Sequence, residues 1–142
     1  MTRVLLMNDN PALRRSLRRL LETSPGLAVV GEVALTVGAE GDGGPGRGGA
    51  GGGGSVEEGE ALSSLTGQVD VVVVDVGMDV GRAAKRVEQL RQELGAVRVI
   101  ATTMMPEPDA TQRLCEAGAE AVLDKAGPVS SLIEAIRGGP AD

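Results

Sequence analysis

One carboxylate ends the most apolar stretch of the chain, and it is the best candidate for chemistry. The run Val69–Asp75 is mostly valine and ends in Asp75. Such a β-branched run predicts a strand buried on both faces, as in the middle of a parallel sheet. In open α/β sheets, chemistry gathers at the carboxyl ends of the strands. We therefore expect the Asp75 carboxylate to act as a nucleophile toward a phosphoryl donor, giving an aspartyl phosphate.

Other polar side chains also follow predicted strands. Asn8 and Asp9 come after the first strand, Thr103 after the fourth and Lys125 after the fifth. Two carboxylates brought together repel each other unless a cation lies between them, and oxygen ligands suit Mg²⁺. Phosphoryl transfer depends on positioning and charge neutralisation, to which Mg²⁺, the Lys125 ammonium and the Thr103 hydroxyl would contribute. Each residue alone also has an ordinary structural role, but their joint placement at four strand ends favours the functional interpretation.

Hydrophobic periodicity predicts the elements that position these residues. Short apolar runs predict five strands, and apolar positions spaced three or four residues apart predict five intervening helices. The predicted strands are Val4–Met7, Leu27–Val33, Val69–Asp75, Val97–Thr102 and Ala121–Leu123. The predicted inward helical residues are Leu13, Leu17, Leu20 and Leu21; Ala61, Leu62 and Leu65; Ala83, Val87, Leu90 and Leu94; Ala110, Leu114 and Ala117; and Val129, Leu132, Ile133 and Ile136. This alternation predicts an α/β fold, a parallel sheet with helices on both faces.

A glycine-rich segment interrupts the pattern after the second strand. Residues 38–55 contain 11 glycines among 18 residues. Such a segment buries too little apolar area to offset its ordering entropy, so the sequence predicts a flexible insertion. It lacks the fixed spacing and Lys-Ser/Thr ending of nucleotide-binding loops. We expect one domain over residues 1–138, with residues 139–142 as a tail or the start of a linker.

Composition excludes several classes of protein. The 142 residues include no His, Phe, Tyr or Trp. Most zinc, haem and hydrolase sites are unsupported without His, and a ring-stacking flavin site is unsupported without aromatic residues. The net charge of −6 argues against direct nucleic-acid binding. The single Cys115, expected as a small buried filler, cannot form an internal disulfide, and no stretch suits a signal peptide or a membrane span. We therefore expect a cytoplasmic protein without membrane contact.

Four short motifs, each weak alone but specific in this order, resemble the receiver domain of response regulators. They are residues 4–11, 71–78, 99–103 and 118–125, which read VLLMNDNP, VVVVDVGM, VIATT and GAEAVLDK. The resemblance is to the CheY-like family, of the NarL/FixJ type, and covers residues 3–137 apart from the insertion. It implies a doubly wound, flavodoxin-like, five-stranded parallel sheet with strand order 2-1-3-4-5.

The resemblance implies a role for each site residue. Asp75 would be the phosphoacceptor, and Thr103 and Lys125 would contact the phosphoryl group. The implied Mg²⁺ ligands are Asp9, Asp75, the backbone carbonyl of Gly77 and, through a water, Asn8.

The resemblance also implies partners. The phosphodonor would be a histidine kinase. A second copy of the chain, in a homodimer, is a further candidate partner. The implied output is regulation of transcription through a DNA-binding domain that is not in this chain. A receiver of this kind is a phosphoacceptor with slow autodephosphorylation at most, so we do not expect an enzyme.

Three departures from the family pattern leave a second interpretation open. Asn8 replaces an acid, so Mg²⁺ should bind more weakly. The loop after Asp75 is short and lacks the family's Pro. Val122 replaces the Tyr or Phe whose rotation reports phosphorylation. The alternative is therefore a pseudo-receiver, a protein-interaction module that phosphate does not switch, although the retained site residues favour a phosphorylated receiver.

Overall fold

The computed structural model describes residues 1–8, 10–33, 66–77, 79–104 and 107–138. These residues form five strands and four helices. The bounds are β1 Thr2–Met7, α1 Pro11–Glu22, β2 Leu27–Val33, β3 Val71–Val76, α2 Val80–Leu94, β4 Arg98–Thr103, α3 Pro108–Ala117, β5 Ala121–Asp124 and α4 Val129–Ile136. The predicted helix with Ala61, Leu62 and Leu65, the glycine-rich segment and the tail at 139–142 lie outside the described residues.

The five strands form one parallel sheet. Their order is β2-β1-β3-β4-β5, and each neighbouring pair is parallel. The predicted fold and strand order are confirmed. The strand order reverses between β1 and β3, which are neighbours in the centre of the sheet. Ligands of open α/β sheets bind outside the carboxyl ends of the strands at such a point.

Alternation along the strands divides the interior into two cores. On one face, Val4, Leu6, Val71 and Val73 pack with residues of α1 and α4, including Leu21 and Leu132. On the other face, Leu5, Met7, Val72 and Val74 pack with residues of α2 and α3, including Leu90 and Leu114. The central strands therefore bury side chains on both faces, as their valine runs predict.

Helix α1 is separated from the end of β1 by three residues. The side chain of Asn10 caps it by accepting the backbone N–H groups of Ala12 and Leu13, and Pro11 occupies the first turn. This start is the one that the sequence predicts. Leu21 is fully buried, but Leu20, predicted to face inward, is 44% exposed. The apolar face of α1 is thus narrower than the leucine pattern indicates.

Two other expectations are corrected. Cys115 is exposed on α3 rather than a buried filler. Strands β3 and β4 each extend one residue past their predicted ends, to Val76 and Thr103. Asp75 therefore lies inside a strand, and its side chain belongs to one definite face of the sheet. No helix in the described parts of the chain is long and apolar enough to cross a membrane.

Candidate phosphoacceptor site

Three side chains from adjacent strands meet at the carboxyl edge of the sheet. The Lys125 ammonium, just past β5, forms an ion pair with Oδ1 of Asp75 on β3. The Thr102 hydroxyl, on β4 between them, donates to the same oxygen at 3.5 Å. The Asp75 side chain is 15% exposed and that of Lys125 is 26% exposed, so the carboxylate can be reached from solvent. The structure thus brings together the predicted Asp75 and Lys125.

The threonine that donates to Asp75 is Thr102, one residue before Thr103, for which the sequence predicts the phosphoryl contact. In the β3–β4 register, Asp75 lies across from Thr102, and Val76 lies across from Thr103. Side chains one residue apart point to opposite faces, so Thr103 belongs to the face away from Asp75. The Thr103 carbonyl instead accepts the backbone N–H of Lys125 at 2.7 Å and helps to hold that residue at the site. The sequence contains a signal for this assignment. Val71, Val73 and Asp75 alternate along β3, and Ile100 and Thr102 alternate along β4, so these five side chains share one face of the sheet.

Asn8 continues β1 next to Asp75, because Met7 pairs with Val74. It is 2% exposed. Its Oδ1 accepts the backbone N–H of Asn10 at 2.7 Å, which closes an Asx turn before α1. Its Nδ2 is buried and has no hydrogen-bond partner among the described residues. A buried amide donor left unpaired costs about 1–3 kcal/mol, so this side chain is ready to donate to an acceptor that enters the site.

A guanidinium supports the backbone at this loop. Arg14 Nη1 donates to the carbonyl oxygen of Asn8 at 2.6 Å, while Arg14 Nε lies 3.6 Å from a carboxylate oxygen of Glu32, at the end of β2. Arg18 also pairs with Glu32, at 2.7 Å. Two arginines of the basic α1 face are therefore occupied within the protein. Sequence reasoning missed Arg14 as a support of the site, because only the fold brings Glu32 and Asn8 to the same helix.

The predicted metal ligands are only partly described. Asp9 lies outside the described residues, and within those residues no cluster of three acidic, His or Cys side chains could hold a metal ion. Oδ1 of Asp75 takes both side-chain contacts, which leaves Oδ2 without a hydrogen bond to the described chain. Gly77 is exposed at the start of the loop, and an added Cβ there would meet no atom within 4 Å. The atoms offered are oxygens, which suits a hard divalent cation.

Val122 lies on β5 at the position where the resemblance implies an aromatic ring. It is partly buried and packs against the core formed with α2 and α3. Its branched side chain has no ring that could rotate between an inward and an outward position.

Curated relatives of the chain are response regulators. It is 28% identical over 136 residues to the nitrate/nitrite response regulator protein NarP of Escherichia coli, covering 96% of this chain and 54% of NarP. It is also 28% identical over 137 residues to the transcriptional regulatory protein LiaR of Bacillus subtilis, covering 96% of this chain and 55% of LiaR. The chain spans about half the length of these relatives.

Solved structures share the fold, although no family model matches the chain. A LuxR-family two-component response regulator from Aurantimonas superimposes with a TM-score of 0.68 at 26% identity, over 98% of this chain and 88% of that one. The receiver domain of the putative response regulator NarL from Mycobacterium tuberculosis gives a TM-score of 0.65 at 23% identity, over 96% and 97%. The chain thus has the CheY-like receiver fold and is related in sequence to response regulators of the NarL type.

Proposed function

We propose that this receiver domain accepts a phosphoryl group on Asp75 from a histidine kinase and thereby regulates an output. The observation that carries the proposal is the convergence of Lys125 and Thr102 on one oxygen of the Asp75 carboxylate. An ammonium and a hydroxyl aimed at one carboxylate can neutralise and orient a phosphoryl group bound there.

The transfer is a substitution at phosphorus. A lone pair of the Asp75 carboxylate, at the free Oδ2, forms the new O–P bond. The N–P bond of the donor phosphohistidine breaks, and its electron pair returns to the imidazole ring. Lys125 and Thr102 then hold the transferred group, and the unpaired Nδ2 of Asn8 offers a further donor at the neighbouring strand end.

A divalent cation, with Mg²⁺ as our choice, would supply the remaining charge neutralisation. The Asp75 carboxylate, the Gly77 carbonyl and Asp9 would hold it, and Asn8 would act through a water. Asn8 brings no negative charge, and its Oδ1 already accepts an N–H. We therefore expect binding of this cation to be weaker than at a site with two acids in the first loop.

The names of the relatives suggest the output. LiaR is a transcriptional regulatory protein and NarP is a nitrate/nitrite response regulator, and this chain spans about half of each. We propose that the receiver controls transcription through a DNA-binding domain outside these 142 residues. The face that transmits the signal would include β5 and the helices on either side of it in sequence, α3 and α4.

The test is the intact mass after incubation with acetyl phosphate and Mg²⁺. We expect one added phosphoryl group that hydroxylamine removes, as it removes acyl phosphates. Asp75→Asn should abolish the adduct. Asp79→Asn is the matched control: Asp79 caps α2 by accepting the N–H of Arg82, and Asn caps a helix equally well. This control should acquire the adduct normally.

The opposite results lead to the alternative function. A folded protein that gains no phosphoryl group with Mg²⁺ in excess would contradict the proposal. So would an adduct that persists in Asp75→Asn. The absence of an adduct would favour the pseudo-receiver, for which Asn8, Val122 and the short loop after Asp75 are the sequence features.

A further inference from the structure

A cavity lies beside the site, between helices α1 and α4. Its volume is about 220 Å³. Leu13 and Leu17 of α1 form one wall, and Val129 and Leu132 of α4 form the other. One end reaches Thr102 and Lys125, the side chains that contact Asp75. We propose that this cavity is a binding site for a compact, uncharged, largely apolar small molecule of one or two rings that carries a hydroxyl or carbonyl group.

The size of the cavity sets the size of the ligand. Sites for drug-sized molecules begin near about 300 Å³. A closed apolar cavity of about 150 Å³ takes up benzene. A volume between these values suits one ring with a substituent, or two fused rings. Leucine and valine walls from two helices favour an apolar body, because water in such a space has few polar partners.

The charged groups at the rim are already engaged, which favours an uncharged ligand. Asp124 and Lys125 both line the cavity. Oδ1 of Asp124 accepts the backbone N–H of Ala126 at 2.9 Å, and Lys125 is paired with Asp75. An anion would meet the negative charges of Asp124 and Asp75, and a cation would compete with Lys125 for its partner.

Hydrogen-bond donors at the rim favour an acceptor group on the ligand. Helix α4 starts at the cavity, and Pro128 at its N-cap position provides no side-chain cap. The first N–H groups of an uncapped helix need an acceptor. Ser131, in the first turn of α4, also lines the cavity and carries a hydroxyl. A hydroxyl or carbonyl oxygen on an apolar body would satisfy these donors.

Neither this chain nor a second copy of it can supply an aromatic ring to the cavity. The 142 residues contain no Phe, Tyr or Trp. The same fact makes binding easy to measure, because the protein has no aromatic fluorescence of its own. Binding also requires no phosphoryl group on Asp75, so this inference stands or falls separately from the proposed function.

The experiment is a fluorescence-anisotropy titration of naphthol, an uncharged molecule of two fused rings and one hydroxyl, with the full chain. We expect a saturable rise in anisotropy at one naphthol per protein. Naphthoate, the same rings with a carboxylate, should bind more weakly. Leu17→Phe, which puts a larger side chain into the wall, should abolish the saturable rise. Leu20→Phe is the matched control, the same change on the same helix at a side chain that is 44% exposed, and it should bind as the original protein does.

Several results would overturn the inference. They are the absence of saturable binding, tighter binding of naphthoate than of naphthol, or equal binding by Leu17→Phe and the original chain. If urea unfolding shows that Leu17→Phe is unfolded, Val129→Phe takes its place, because it narrows the cavity from the α4 wall. A dimer in sedimentation that Leu17→Phe dissociates and naphthol does not would assign the cavity to a second copy, which also overturns it.

Discussion

Thr102 and Thr103 are adjacent in the sequence, but their side chains belong to opposite faces of the sheet. We predict that Thr102→Val slows formation of the Asp75 adduct by roughly tenfold, because the variant loses a hydrogen bond to a charged group, worth about 1.5–3 kcal/mol. Thr103→Val should acquire the adduct at nearly the original rate, because its side chain faces away from Asp75. The time course of intact mass with acetyl phosphate checks both. The reverse order of effects would return the phosphoryl contact to Thr103.

We predict that the charge at residue 8 affects how tightly the proposed site binds a divalent cation. Asn8→Asp adds a carboxylate at the strand end next to Asp75, and we predict that it tightens Mg²⁺ binding by roughly tenfold. Without Mg²⁺ the same variant should be less stable, because a buried carboxylate is desolvated and repelled by Asp75. Calorimetric titration with Mg²⁺ and urea unfolding with and without it measure the two effects.

Asn10→Asp is the control for this prediction. It adds the same charge two residues away, at an exposed position where Asp also caps a helix. It should change Mg²⁺ affinity much less than Asn8→Asp. Equal effects of the two variants would show that residue 8 acts only through long-range charge.

At the scale of elements, two constraints favour glycine at the residue that follows helix α3. Gly118 has φ +126, and an added Cβ would lie 2.3 Å from Cδ of Arg91 on α2. Gly138 has φ +110, after α4, and open space around it. We predict that Gly138→Ala costs about 1–2 kcal/mol for backbone strain, and that Gly118→Ala costs a further 1–3 kcal/mol or so for the overlap.

Urea unfolding gives the free energy of unfolding of both glycine variants. Arg91 also donates to the Val97 carbonyl at 3.2 Å, so its side chain is held over the glycine. Arg91→Ala should therefore cost less in the Gly118→Ala background than alone. If the two glycine variants are equally destabilised and Arg91→Ala is additive, helix α2 does not constrain the end of α3.

An ion pair joins three elements at the amino edge of the sheet. Arg98 of β4 donates to both carboxylate oxygens of Glu120, at 2.9 and 2.8 Å, and to the carbonyls of Ala135 and Ile136 at the end of α4. The hydrogen bonds from Arg98 lower the pKa of Glu120 below its usual value near 4.5. The pair therefore contributes stability above that usual pKa, and the contribution is lost as pH falls through the lowered pKa.

Glu120→Gln tests this linkage. The variant keeps the contacts of Arg98 with α4 but has no carboxyl to titrate. We predict that its free energy of unfolding falls less steeply below pH of about 4.5. Near neutral pH the two proteins should differ by less than about 1 kcal/mol, because both side chains of the pair are partly exposed to solvent. Urea unfolding across the acid range measures the difference, and parallel curves for the two proteins would contradict it.

The elements were more predictable from the sequence than the site was. Periodicity placed Ala83, Val87, Leu90 and Leu94 in the core, and all four are buried. The strand ends of β3 and β4 were each one residue short, since apolar runs do not mark where pairing stops. The hydroxyl that reaches Asp75 is that of Thr102, one residue before the predicted Thr103. The ion pair of Arg14 with Glu32 and the cavity between α1 and α4 depend on how distant segments pack, which no local pattern records.

At the scale of the whole molecule, the connection from β2 to β3 is long, and its first part is much richer in glycine than its second part. Residues 34–65 separate β2 from the next described segment, and residues 38–54 within them are mainly glycine. Loop-closure entropy varies only with the logarithm of length. We predict that deleting residues 38–54 raises the free energy of unfolding by less than about 1 kcal/mol, because the deletion removes about half of the connection and the sequence predicts no packed residue in it.

Deleting residues 55–65 is the contrasting variant. It removes fewer residues but takes the predicted inward positions Ala61, Leu62 and Leu65, so we expect a loss of several kcal/mol, as for other apolar deletions. Urea unfolding of the two variants checks the prediction, and the deletion of residues 38–54 should also keep the Asp75 adduct. A large loss of stability in that variant would mean that the glycine-rich segment packs on the sheet, and it would then have to be included in any account of how the receiver is regulated.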